Sequence, residues 1–198
     1  MSVEKKPKNL ITIQKIAQTA IMAAVCFVTF TFLQIKIPTP AGGMTSLHIA
    51  NAFLVLASLY LGGMYGGLAG AIGMGIADVL DPIYIVEAPL TFVLKLTIGL
   101  VVGLVAHRIG KINESTDKDH IFKWTLLATV AGLGYNVIMN PVLGYFYKWI
   151  ILGQPQNAAV IFTGWTAIAT FVNAVVSTIL VMFIYMGTRP ILRRLNMI

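Results

Sequence analysis

Two ionisable residues stand inside long apolar stretches of the chain: Asp78, in Gly75-Ile-Ala-Asp78, and Lys95, in Phe92-Val-Leu-Lys95-Leu-Thr-Ile. Deep in a membrane span each costs about 2.5 to 3.5 kcal/mol on insertion scales unless it faces a partner or water. Two arrangements meet that cost. Lys95 and Asp78 tie neighbouring helices together, or Lys95 snorkels outward along its stem; alternatively both face a water-filled pocket where an ammonium and a carboxylate meet a polar ligand. The second is preferred, because other polar side chains fall at the same depth. His48 and Asn51 are expected near the start of one helix, a turn apart on one face. Asn136 and Asn140 share a face just before Pro141, where they supply ligand contacts or interhelical hydrogen bonds of about 0.6 kcal/mol. Tyr135 and Trp165 can stack on a flat ring, or belong to an aromatic belt. The single cysteine, Cys26, excludes an intrachain disulfide and a cysteine-based metal site.

The elements that must position these groups are membrane helices. Of 198 residues, 58% are apolar and only 11% charged, against roughly a quarter charged in soluble domains. The expected fold is all-α: an integral membrane bundle of six transmembrane helices forming a single domain over residues 1–198, with a short basic segment at 1–12 and a tail at 188–198. The apolar runs predict helices over 13–35, 46–61, 65–80, 88–107, 121–147 and 158–186, the second and third short for full spans. A Pro/Gly stretch from Lys36 to Thr45 reads as a loop, Gly62-Gly63 as a tight connection, and Pro141 as a kink.

Counting basic residues by side fixes the expected orientation. With the N-terminus inside, six spans place Lys5, Lys6, Lys8, Lys15, Arg108, Lys111, Lys118, Lys123, Arg189, Arg193 and Arg194 on the cytoplasmic side, and only Lys36 and Lys148 outside. Both termini are then cytoplasmic, the chain is a multi-pass protein of the cell membrane in contact with lipid, and its basic charge reflects orientation, not nucleic acid. Asp78, Lys95 and their companions gather in the outer half. Glu87, beside Pro89, reads as an interfacial or helix-start charge.

Glycines recur at four-residue spacing, Gly62, Gly66 and Gly70 beside Gly63 and Gly67, then Gly99 and Gly103, which lets helix backbones approach closely. In the first helix Ala20 and Ala24 form a small-xxx-small pair able to accept another helix. No GxxxxGK[ST], HExxH or GxSxG motif occurs, so catalysis has no visible machinery.

Taken in order, Thr45-Ser-Leu-His48-Ile-Ala-Asn51-Ala-Phe, Leu61-Gly-Gly-Met-Tyr-Gly66-Gly67-Leu-Ala-Gly70-Ala-Ile-Gly73, Gly75-Ile-Ala-Asp78 and Ala88-Pro89-Leu-Thr-Phe92-Val-Leu-Lys95-Leu-Thr-Ile-Gly99 resemble the S components, the substrate-binding membrane subunits, of energy-coupling factor (ECF) vitamin importers. The likeness covers nearly the whole chain and is nearest to the riboflavin, hydroxymethylpyrimidine and pyridoxine subset. It implies an outward-facing pocket capped by the loop after the first helix. It also implies docking through Ala20 and Ala24 onto a transmembrane coupling protein driven by two cytoplasmic ATPases, so that ATP is hydrolysed by partners and this chain needs no cofactor. A small aromatic vitamin, pyridoxine-like or hydroxymethylpyrimidine-like, is the expected substrate, with riboflavin as the alternative. The rivals from other classes are a membrane-embedded enzyme using Asp78 with His48 or Lys95, and a purely structural subunit.

Overall fold

The computed structural model describes residues 8–195; Lys5 and Lys6 of the expected basic segment lie outside them. Six helices and one hairpin follow in order: α1 (Lys8–Phe32), β1 (Gln34–Pro38), β2 (Met44–His48), α2 (Ala50–Leu61), α3 (Gly63–Leu80), α4 (Ala88–Gly103), α5 (Lys118–Phe146) and α6 (Gln156–Arg194). A 3₁₀ turn, Ile85–Glu87, leads into α4, and α4 and α5 each finish in a wider π-helical turn, Leu104–Ile109 and Tyr147–Ile151.

Among the described residues five helices are long and apolar enough to cross a membrane. The sixth, α2, has 12 residues, about 18 Å of helix against a hydrocarbon core of about 30 Å. Its sequence, ANAFLVLASLYL, is apolar on every side, the pattern of a helix with no outward face. It packs against α1, α3, α4, α5 and α6, and Leu54, Val55, Leu56 and Leu59 are all buried. Of the six expected transmembrane helices, with the second and third short, the described residues show five of membrane-spanning length packed around a short buried second helix.

Glycine sets how closely that bundle closes. A Cβ on Gly99 would overlap the backbone of Gly67, and one on Gly103 that of Gly63. These four positions let α3 and α4 run backbone to backbone, so the residues between them, including Asp78 and Lys95, hold fixed relative heights. Gly66 and Gly70 meet Ser58 and Leu54 of α2 in the same way, and Gly73 meets Ala23 and Cys26 of α1. Small-residue spacing here is packing, as the sequence indicates.

The expected loop after α1 is a β-hairpin, pairing Gln34 with His48 through to Pro38 with Met44. Its tip turns on Gly42 and Gly43, at φ +82° and +75°, a region that L side chains avoid. Thr39 closes the turn, its hydroxyl donating to the Gly42 carbonyl at 2.6 Å. Two anchors hold the hairpin down. The Asn173 side chain of α6 accepts from the His48 N–H and donates to the Ser46 carbonyl, both at 3.0 Å, reading β2 as a neighbouring strand would. Lys36 Nζ meets Asp81 Oδ2 at 2.5 Å.

Most of the tail expected at 188–198 is helical instead: α6 runs on through Pro190 to Arg194. Arg189 and Arg193 hold those last turns by donating to the carbonyls of Ile112, Asn113 and Ser115 in the α4–α5 connection.

Gly99→Val tests the glycine seam. It should destabilise the bundle by about 1 to 3 kcal/mol through overpacking, read as a lower unfolding midpoint in detergent, whereas Gly164→Ala, in open space on α6, should leave the midpoint within error.

Candidate functional site

At the hairpin end of the bundle a cavity of about 100 Å³ collects polar groups from nearly every element. Ser46 and His48 come from β2, Asp78 from the last turn of α3, Glu87 from the turn before α4, Thr91 and Lys95 from α4, Asn140 from α5, and Thr166, Thr170 and Asn173 from α6. Thr91 and Lys95 are four apart and so share a face of α4. On α6 the lining residues Phe162, Thr166, Thr170 and Asn173 fall at helical spacing and form one stripe.

Lys95 is 7% exposed and donates to Asn51 Oδ1 at 2.9 Å. Asn51 is 1% exposed, on the central helix, so the cation is held from behind by a neutral acceptor. Asp78 is 2% exposed, with the Thr91 hydroxyl as its hydrogen-bonding neighbour. Among the described residues the ion pairs are Lys36 with Asp81, Lys111 with Glu114, and Lys148 with Glu87; Lys95 and Asp78 face one cavity without closing on each other. The direct tie between helices weighed from the sequence is therefore not what the structure has. Each group keeps hydrogen-bonding capacity directed into the cavity. His48 meets the Phe30 ring edge-on, centroids 4.7 Å apart, and its Nδ1 is buried without a partner.

Glu87, on the cavity wall, brings in a second charged residue, Lys148. Glu87, expected as an interfacial charge, pairs with Lys148, a buried residue in the π turn after α5 whose ammonium lies 3.8 Å from the Phe162 ring centroid. The Tyr147 hydroxyl donates to the Val86 carbonyl at 2.7 Å, a second tie between the same segments. Tyr84, between α3 and α4, also lines the cavity. Burial pushes its phenol up to about 12, opposed by the nearby Ser46 hydroxyl and with the Asp81, Asp78 and Glu87 carboxylates adding to the rise, so it stays a neutral phenol, its oxygen buried without a hydrogen-bond partner. Asp81 moves the other way: burial raises it, but the Lys36 hydrogen bond, the Ile83 N–H and the Lys36 charge together hold its carboxyl below the usual range.

Of the residues singled out in the sequence, His48, Asp78, Lys95 and Asn140 line the cavity and Asn51 supports it from behind. Asn140 also donates to the Thr170 hydroxyl at 2.8 Å. Three do not reach it. Asn136, a turn further along α5 from the cavity, is buried with its side-chain oxygen unpartnered. Tyr135 packs on the apolar core. Trp165 is 42% exposed, because one residue before Thr166 means about 100° around the helix from the lining stripe. His48 and Asn51 are likewise not on one helical face, since His48 ends a strand. Missed were Thr91, detectable as the residue four before Lys95, and the α6 stripe, detectable as polar positions recurring in an apolar helix. Ala20 and Ala24 are exposed on α1. Among the described residues no group of three or more His, Cys, Asp or Glu side chains is placed to hold a metal ion.

A polar chamber walled in part by a hairpin, at one end of a bundle with membrane-length helices, defines a multi-pass binding protein. Residues 10–189 match the family described as ECF-type riboflavin transporter, S component, and the chain belongs to that family, whose members are transport subunits and not enzymes. A Pyrococcus woesei protein known only as an uncharacterized protein in the gap 3′ region is 30% identical over 167 residues, 84% of this chain and 95% of that one. Among solved structures the fold is similar to ThiT from Listeria monocytogenes, at TM-score 0.65 and 20% identity over 94% of this chain and 98% of that one. It is also similar to the S-component for biotin from an ECF-type ABC transporter, at TM-score 0.58 and 16% identity over 90% and 94%.

Two outcomes test this geometry. Lys148→Met leaves Glu87 poorly compensated and should cost about 3 kcal/mol or more of stability, with Glu87→Gln added on top recovering part of it, both read by thermal unfolding. The Lys36–Asp81 anchor depends on an ionised carboxyl whose folded pKa is depressed, so its contribution is complete above the unfolded value of about 3.9 and is lost as pH falls through the lower folded value. Amide exchange in the hairpin should therefore be flat from pH 7 to 5, after correction for intrinsic rates, and quicken only below about 4.

Proposed function

We propose that the chain captures a small nitrogen-heteroaromatic vitamin, pyridoxine-like or hydroxymethylpyrimidine-like, in the hairpin-end cavity. One observation carries this: Lys95 and Asp78 share a chamber without neutralising each other, so an ammonium and a carboxylate stand ready for a ligand that donates and accepts. A hydroxylated pyridine or an aminopyrimidine does both. Lys95 donates to a ring nitrogen or oxygen, Asp78 accepts from a hydroxyl or amine, and Asn140, Thr170 and the Tyr84 phenol supply neutral hydrogen bonds. A desolvated set of this kind can reach nanomolar affinity, about 12 kcal/mol. The modest cavity volume favours one six-membered ring. Riboflavin is the second reading, supported by the name of the family.

In this proposal both termini are cytoplasmic, as the eleven-to-two distribution of basic residues supports, and the cavity opens to the outside. The exposed Ala20 and Ala24 form the docking stripe for a transmembrane coupling protein, and two cytoplasmic ATPases supply the energy to move substrate inward.

Native mass spectrometry of the purified chain should show one retained aromatic ligand of vitamin mass. In calorimetric titrations with pyridoxine, 4-amino-5-hydroxymethyl-2-methylpyrimidine and riboflavin, Lys95→Ala should weaken the tightest binder by about a hundredfold or more while the variant still inserts and folds. Unchanged affinity would defeat the assignment, and turnover of a ligand by the isolated chain would favour an enzyme instead.

A further inference from the structure

A second cavity, of about 370 Å³, lies beside the first, where the hairpin-end turns of α1 and α3 diverge. Phe30 lines both. It is buried and meets His48 edge-on, so one aromatic ring borders both spaces. The side cavity is walled by Phe27, Leu80 and Pro82, by the charged Asp81 and by two neutral polar residues, Thr31 and Gln34.

Those two carry the argument. Thr31 Oγ1 and Gln34 Oε1 are buried without a hydrogen-bond partner. Threonines elsewhere in these helices, Thr19, Thr29, Thr163 and Thr178 among them, turn the hydroxyl back onto the carbonyl four residues earlier. Thr31, on the same helix as the first two, does not. Leaving buried polar groups unpaired costs their full desolvation, and folded interiors seldom do so without a reason. As they stand both oxygens are closed off from the side cavity, so a guest supplies one when Thr31 and Gln34 change rotamer and turn them into that space. A hydroxyl donor satisfies the Gln34 oxygen, and either sense of hydrogen bond satisfies Thr31. Asp81 also borders the space, with its oxygens engaged by Lys36 and the Ile83 N–H; its negative charge disfavours a carboxylate or phosphate. The apolar walls suit carbon. The matching guest is a neutral hydroxylated carbon arm.

We infer that the side cavity is a subsite for a hydroxyl-bearing arm of the ligand whose ring occupies the main cavity, with Phe30 bordering both. This rests on the vitamin-binding reading above. A hydroxymethyl group and a polyol chain are short and long forms of the same chemistry, so the subsite discriminates among ring vitamins by their arms.

The test is calorimetry on the purified full chain with three matched pairs, each differing in the arm: pyridoxine and 4-deoxypyridoxine; 4-amino-5-hydroxymethyl-2-methylpyrimidine and 4-amino-2,5-dimethylpyrimidine; riboflavin and lumichrome. For whichever ring binds, the arm-bearing member should bind roughly three- to tenfold tighter or better, and Thr31→Val should bring that ratio towards one. Gln34→Leu, in the hairpin instead of α1, gives the same readout should the first variant fail to fold. Equal affinities within the pair, or a ratio unmoved in both variants, overturn the subsite and leave the vitamin-binding reading standing. Binding of none of the six probes overturns both.

Discussion

The fold is organised around an ammonium group that the membrane disfavours. Lys95 sits in an apolar helix, and the protein accommodates it with one neutral acceptor, Asn51, carried on the largely buried central helix. Holding the cation this way, and not with a carboxylate, leaves its charge unspent. Asp78 is treated alike, with a hydroxyl for a neighbour. Two opposite charges that could have cancelled are kept open towards one chamber, which is difficult to reconcile with a purely structural role, since mutual neutralisation is the cheaper way to bury such a pair.

That arrangement depends on rigid placement. The glycine seam locks α3 to α4, so the heights of Asp78 and Lys95 cannot drift, and α2 wedges Asn51 behind them. The hairpin then closes the chamber without contributing charge of its own to it. It is held by the Asn173 clamp to α6 and by Lys36 to the end of α3. A cover fixed at a few polar points is suited to opening, because each point exchanges with water at modest net cost. The Glu87–Lys148 pair ties the turn before α4 to the turn after α5.

Much of this was legible in the sequence, for identifiable reasons. Intramembrane charges are rare enough that Asp78 and Lys95 stood out alone, and glycines at four-residue spacing declared close packing. Asn140 followed from its place beside Pro141. What was not legible depended on rotation or on a change of period. Trp165 and Thr166 are neighbours in the chain, yet one faces outward and the other the chamber. The hairpin was hidden because Ile35 and Ile37 extend the apolar run of α1 while the periodicity has already changed from 3.6 to 2. Glu87 and Lys148 are 61 residues apart, and nothing local announces their pairing. The central position of α2 was foreshadowed only by its shortness.

The most direct measurement is an experimental structure of the full chain purified with its ligand retained. Density for a ring ligand in the hairpin-end chamber, within hydrogen-bonding distance of both Lys95 Nζ and the Asp78 carboxylate, is the predicted result. A closed Lys95–Asp78 ion pair in an empty chamber, with ligand bound elsewhere, would contradict it.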